Sequence, residues 1–446
     1  MSSTIATGID RRPAGGEDSD RPAAPLAPIR LVDVDLGGTV SGFAVADRLA
    51  PADTAARLLV RLHGHPLGVL DLAREEILEV DLQARIWAEL GGPIRRHLAE
   101  RHGLTIDGLP ATGFIDDDNL ACSWRTAILG RPPAATVVIN TCAASDALTR
   151  TIDSALQLDY PDFSIVVVDN RPARSGVARL LETQFARETR LNYIAEPRPG
   201  LGRARNAGLA AASTGIVAFT DDDVVLDRDW LGWLVAGFSS AERVACVTGL
   251  IVPLELETPA QVLIEAMSGF GKGFEPRIWD LDEHRLDHPL YPYTVGIFGS
   301  GASAAFDTDR LAQLGGFDAH LGIGTPACGG EDLDAYTRLI LAGNQIVYQP
   351  ASLLRHQHRR NMAAVSQQVR GYGAGLTAML TKHLIEAGST RSAVLRRIPA
   401  GVAYAISPRS AKNARRPPDF SLNLSLLEWF GMVYGPIGYL RSRLAG

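Results

Sequence analysis

Cysteine is scarce in this 446-residue chain: Cys122, Cys142, Cys246 and Cys328 stand far apart, and no Cys-x-x-Cys pair occurs. That argues against a disulfide scaffold and a structural zinc site, and it fits a reducing compartment. No uninterrupted run of about 18 apolar residues exists, so no segment reads as a membrane span. Leu422–Leu440 comes nearest, broken by Asn423, Glu428 and Pro436. Excess positive charge is missing too. The 44 Lys and Arg against 50 Asp and Glu leave a net −6, with no whole-chain reason to expect nucleic acid. Arg11 and Arg12 lack the apolar run that a secretory leader needs, and residues 1–29 read as a flexible tail. What remains is ordinary globular composition, 46% hydrophobic and 21% charged, with length for about three domains.

Residues 30–130 read as a small α+β module. Strands Arg57–Leu62 and Leu67–Asp71 flank the turn signal His63-Gly64-His65-Pro66. A helical pattern follows from Arg74 to about Arg101, interrupted at Gly91-Gly92-Pro93. No chemistry shows in this part, and Asp116-Asp117-Asp118 reads as an exposed acidic turn in preference to a cation site. After Arg131-Pro132-Pro133 the rhythm changes. Ala135–Ile139 and Ser164–Val168 are continuous β-branched runs suited to strands buried on both faces, and Leu191–Ala195 and Ile216–Phe219 follow as shorter ones. Helical spacing over Ala147–Leu156, Val177–Arg187 and Gly202–Ala212 separates them, which predicts a parallel α/β sheet. Ligands of such sheets sit beyond the carboxyl ends of the strands.

Two of those ends are acidic. One reads Asp169-Asn170, the other Thr220-Asp221-Asp222-Asp223. Three adjacent carboxylates repel one another, and a divalent cation, Mn2+ or Mg2+, is the simplest offset. The competing reading is a solvated acidic turn continued by Asp227 and Asp229. Glu331-Asp332 opens a helix through Leu341, where acids also suit the macrodipole and Asp334 pairs with Arg338 at i, i+4. Beyond Leu353-Leu354, His356 and His358 are two apart in an extended segment and share a face. From Arg391 to Pro418 seven basic residues (Arg391, Arg396, Arg397, Arg409, Lys412, Arg415, Arg416) occur without an acid, and the apolar, aromatic-bearing Leu422–Leu440 follows. That combination suits a membrane surface or a lipid-phosphate acceptor.

Several ordered segments resemble the family 2 glycosyltransferases, which have the GT-A fold: TVVINT (136–141), VVVDN (166–170), PGLGRARNAG (199–208), FTDDDV (219–224), GSGASAAF (299–306), GGFD (315–318) and GGEDLDAYTR (329–338). The resemblance covers about residues 134–360. It implies a Rossmann-like, mostly parallel sheet flanked by helices, between the 30–130 module and a helical extension over 361–446. It further implies inverting, metal-dependent transfer of a sugar from a nucleotide-diphospho-sugar to an acceptor hydroxyl. Asp332 is then the general base, with Glu331 next. Thr141, Asp169, Arg205, Asp221 and Asp222 face the nucleotide-sugar, and Asp223, Asp221 and His358 hold the metal. Arg359 and Arg360 are candidates for phosphate contact. The acceptor class implied is a glycan, a lipid-linked sugar or a small molecule in cell-envelope polysaccharide or glycolipid biosynthesis, with a cytoplasmic enzyme at or near the membrane's inner face.

The sequence departs from that family twice. Asn140-Thr141-Cys142-Ala143 replaces the usual Pro-Thr-Tyr-Asn, so the aromatic that stacks on the base is absent. Gln357–Asn361 lacks the Trp of the Q-x-x-R-W motif of processive synthases, which favours single addition. Asp221-Asp222-Asp223-Val224-Val225 also satisfies the D-x-D-x-[TV] pattern of haloacid-dehalogenase-like phosphatases, with Asp221 as nucleophile. That reading leaves the Ala204-Arg205-Asn206 helix unexplained. A dinucleotide fingerprint fails at its third glycine, where Arg203-Ala204-Arg205 follow Gly202. A non-catalytic sugar-nucleotide-binding protein is the third alternative.

Overall fold

The structure is a computed structural model. It describes residues 27–37, 45–79, 81–110, 114, 130, 132–268, 270–386, 389–407, 409–410, 413 and 422–445. The Asp116–Asp118 run, Lys412, Arg415, Arg416 and nearly all of the 1–29 segment lie outside them.

The N-terminal module is a three-stranded sheet, β1 (Ile29–Asp35), β2 (Ala55–Leu62) and β3 (His65–Ala73), in that order. The β2–β3 hairpin lies where the turn signal predicts it. β1 is an additional strand that the sequence does not signal, because its parallel partner β2 is remote in sequence and leaves no local hairpin pattern. The helical pattern divides into α1 (Arg74–Glu79) and α2 (Leu82–His102). The break falls at Asp81, whose carboxylate caps Ala84 N, and α2 runs unbroken through Gly91-Gly92-Pro93. Pro93 forfeits one helical hydrogen bond, but buried Ile86, Ile94 and Leu98 hold the helix on the sheet.

The second sheet contains β4 (Ala135–Thr141), β5 (Phe163–Asp169), β6 (Leu191–Ala195), β7 (Ile216–Asp221), β8 (Val224–Leu226), β9 (Val244–Pro253), β10 (Arg277–Trp279), β11 (Ser303–Asp307) and β12 (Gln345–His356). Their order is β10-β12-β9-β11-β7-β4-β5-β6, with β8 paired to β12. β4 through β7 are parallel, as the buried runs predict, and all seven residues of β4 are buried. Beyond β7 the sheet is mixed, since β11 runs antiparallel between β7 and β9. Helices α3 (Asp146–Leu156), α4 (Val177–Gln184), α5 (Leu201–Ala211), α6 (Trp230–Gly237), α7 (Pro259–Ser268), α8 (Thr308–Gln313) and α9 (Glu331–Leu341) flank it. The architecture is thus an α/β mixed sheet with helices on its faces, a small N-terminal sheet module and a helical C-terminal region.

That region comprises α10 (Met362–Ile385), α11 (Ser389–Ile406) and α12 (Leu422–Leu444). α10 and α12 meet backbone to backbone. A Cβ on Gly431 would collide with the Arg370 carbonyl, and one on Gly373 with that of Glu428. A buried ion cluster ties α10 to α9. Lys382 Nζ lies 2.8 Å from Asp334 and 3.4 Å from Asp318, Arg338 Nε lies 2.7 Å from Asp334, and Tyr439 donates to Asp318 at 3.0 Å. Burial would raise the Asp334 carboxyl, but contacts from His383, Arg338 and Lys382 prevail and hold it far below the usual range. Lys382→Met strips a cation from two buried carboxylates. It is expected to cost about 3 kcal/mol in denaturant unfolding, because Asp318 loses its cation while Asp334 keeps Arg338.

Candidate active site

β7 is buried along its length and emerges at Asp221, as a strand covered on both faces must when it reaches the sheet edge. The chain turns, and β8 pairs antiparallel with the end of β12, Val224 opposite His356. That register sets His356 Nε2 3.3 Å from Asp223 Oδ1. Asp221, Asp223 and His356 then hold their ligand atoms within 4.8 Å of one another.

Burial lifts the Asp221 and Asp222 carboxyls to about 6, against the pull of Arg205 on Asp221 and of the Thr141 hydroxyl on Asp222. Asp223 is raised for the same reason, with Arg359 opposing. Burial, then His358, lowers His356 to about 4, so its ring is neutral at pH 7. Two mutually repelling carboxylates and a neutral imidazole make a donor set that a divalent cation fits.

His358 takes a different partner. Its Nε2 lies 2.9 Å from Glu265 Oε2 on α7, and its Nδ1 lies 3.4 Å from His356 Nδ1. Both rings are buried, but β12 ends at His356, and the next inward position falls against α7 instead of the acidic turn. Glu265 Oε1 in turn meets Arg57 of β2 at 3.2 Å. A chain of contacts therefore runs from the N-terminal module through Glu265, His358 and His356 to Asp223. Sequence reading missed Glu265 and Arg57, which are 208 positions apart and belong to no motif.

Arg205 on α5 is buried, with Nη1 3.1 Å from Glu331 Oε1 and Nη2 3.8 Å from Asp221 Oδ1. Gly301 closes over it, where any Cβ would strike the guanidinium. Burial pushes the Glu331 carboxyl up to about 7, and the Arg205 guanidinium opposes that shift. Asp332 is only partly buried. Its Oδ2 accepts from Gly301 N at 3.0 Å and its Oδ1 from Leu333 N at 2.8 Å. Gly330 precedes α9 with φ 92° and is pressed on Gly375 of α10, so the glycine pair serves helix packing at that point.

Thr141, at the end of β4, donates to Asp222 Oδ2 at 2.5 Å. Asp169 ends β5 and is fully buried, its carboxylate accepting from Arg171 N at 2.9 Å and from the Ser175 and Tyr193 hydroxyls. Its oxygens are engaged by that loop and by Tyr193 of β6. Arg359 stays near, 3.7 Å from Asp223, whereas Arg360 is drawn off to Glu255 and Glu257.

Residues 136–301 match the family model described as Glycosyl transferase family 2, which takes in Arg205, the Asp221–Asp223 turn and Gly301. A pre-mycofactocin glycosyltransferase of Mycobacterium tuberculosis is 31% identical over 185 residues, 41% of this chain and 36% of that one. An inactive polypeptide N-acetylgalactosaminyltransferase-like protein 5 of Mus musculus is 27% identical over 184 residues, 39% of this chain and 41% of that one. The chain thus spans well under half the length of these curated relatives. A mannosyltransferase of Pyrobaculum calidifontis, solved with GDP-Man and Mn2+, aligns over 70% of this chain and 87% of that one at 20% identity. The TM-score of that alignment is 0.42. Ordered motifs, the parallel strands that end in acids and the family match agree: residues 136–301 of this chain are a family 2 glycosyl transferase domain.

Proposed function

We propose that the chain transfers a sugar from a nucleotide-diphospho-sugar to an acceptor hydroxyl, by single addition and with inversion. The observation that carries this reading is the convergence of Asp221, Asp223 and His356 at a strand end within a family 2 domain. These three would hold a divalent cation, Mn2+ or Mg2+, with His356 taking the place that the motif alone offers to His358. A bound cation supplies charge neutralisation at the diphosphate leaving group. Thr141 and Asp222 face the donor as a hydrogen-bonded pair, and Asp169 shapes the base side by holding the Arg171–Ser175 turn. Arg205 positions Asp221 and Glu331. Asp332 is the base, oriented by the Gly301 and Leu333 amides, and in-line attack by the hydroxyl it deprotonates gives inversion. The phosphatase alternative accounts for residues 221–225 alone and leaves Arg205, Glu331 and His356 without a role.

Thermal melts with UDP-, GDP-, dTDP- and CMP-sugars, with and without Mn2+, test the donor reading. One nucleotide class is expected to raise the melting temperature, more strongly with the cation. No shift with any of them would sink it. Glu265→Gln is expected to weaken Mn2+ binding about 10–100-fold in calorimetry, because the carboxylate orients His358 and through it His356.

The acceptor side belongs at an anionic lipid surface. No helix among the described residues is long and apolar enough to cross a membrane. Yet α12, with its glycine face against α10, exposes Leu422, Leu426, Phe430, Val433, Ile437, Leu440 and Leu444, and α11 exposes Leu395, Ile398, Val402 and Ile406. Arg391, Arg396, Arg409, Arg441 and Arg443 are exposed on or beside the same helices. An apolar stripe flanked by arginines matches the depth and charge of an anionic lipid interface. Flotation with phosphatidylglycerol vesicles should capture the chain. Val433→Asp with Ile437→Asp should release it, and equal capture of that variant would refute the surface.

A further inference from the structure

Four of the chain's ten histidines, His63, His65, His97 and His102, gather at one end of the N-terminal module. We infer that His63, His97 and His102 form a second metal site, for a borderline transition ion such as Zn2+ or Co2+.

The backbone brings them together from two directions. His63 and Gly64 form the two-residue turn between β2 and β3, with φ 51° and 80°. A two-residue hairpin turn calls for left-handed backbone at both positions. His97 and His102 come from the last two turns of α2, which ends at left-handed Gly103. His63 Nδ1 lies 3.2 Å from His97 Nε2, and the His63 and His102 rings meet edge-on with centroids 4.8 Å apart. The donor atoms of all three fall within 4.8 Å of one another. A tetrahedral ion with metal–nitrogen bonds of about 2.0–2.1 Å sets its ligand nitrogens about 3.4 Å apart. One edge of that tetrahedron is already in place, and rotation of the part-exposed His63 and His102 rings closes the others.

Donor chemistry selects the ion. His97 is buried, with its Nε2 against the His63 ring. Neutral imidazole is the form that binds a metal. Arg101 repels any cation here, so affinity must come from metal–imidazole bonding, which excludes Mg2+ and Ca2+ and suits Zn2+, Co2+, Ni2+ or Cu2+. Three protein ligands leave one position for water or an exogenous ligand. His65, in the same hairpin, packs edge-on against Trp233 of α6 with centroids 4.5 Å apart. An ion would thus clamp the hairpin to α2 where the module meets the transferase domain.

The test is Co2+ titration of the full-length chain carrying Asp223→Asn, which weakens the strand-end site. Expected are one bound Co2+, the intense visible bands of tetrahedral coordination, loss of those bands on adding Zn2+, and a higher melting temperature. Adding His102→Ala should weaken binding at least about tenfold. His102 ends its helix and is part-exposed, so the metal-free melt of that variant should stay near that of its parent. His97→Gln, a buried change, should abolish the bands altogether. No Co2+ bound at micromolar concentration, or binding undiminished by His102→Ala, would overturn the site.

Discussion

Asp332→Asn is expected to lower the transfer rate by about 10²–10⁴-fold while donor and Mn2+ affinities stay within a fewfold of the parent chain. The asymmetry follows from the local structure. Asp332 is bonded to two backbone amides, which fix its direction. Asn fits the same pocket, because its carbonyl oxygen can accept one of those amides, but it cannot take a proton from the acceptor. Glu331→Gln should behave differently. It removes the partner of a buried guanidinium, so stability and Asp221 placement should fail along with rate. Steady-state kinetics beside calorimetry separate the two. Undiminished transfer by Asp332→Asn with donor still bound would move the base elsewhere.

Asp223→Ala should reduce transfer by roughly 10³-fold or more and abolish the cation's effect on donor binding. Its neighbour supplies a control with the opposite sign in stability. The folded-state carboxyl of Asp222, at about 6, lies above its unfolded value near 4, so folding favours the protonated form. The penalty is absent below pH 4, develops as pH rises towards 6 and is complete above it. Metal-free Asp222→Asn should therefore melt about 1–3 °C above the parent at pH 7, with no difference at pH 4. Cation affinity should fall as pH drops below about 6, where a proton must leave for the ion to bind. A parent chain that melts higher at pH 7, or Mn2+ affinity that is flat from pH 5 to 7, would contradict the electrostatics of the acidic turn.

Much of this was legible in the chain. β4, β5 and β7 announce themselves because a parallel strand covered on both faces needs a continuous apolar, β-branched run. Asp221–Asp223 is legible because its residues are adjacent, so like-charge repulsion is a property of the sequence. The α10–α12 region shows its basic and apolar content for the same reason.

Packing decided what depends on two distant segments meeting. His356 and His358 are equivalent by alternation; only the β8–β12 register and the end of β12 set one ring on Asp223 and the other on Glu265. Arg57, Glu265, the parallel partner of β1 and the histidine group of the N-terminal module leave no local period or motif, because their partners lie on other elements. Gly431 and Gly435, each pressed on the backbone of α10, fix which face of α12 is buried, and so which apolar stripe is left facing out. Composition and adjacency suffice where an interaction is local or a strand is buried on both faces. Where function rests on side chains brought together across the fold, only three-dimensional packing chooses among residues that the sequence leaves equivalent.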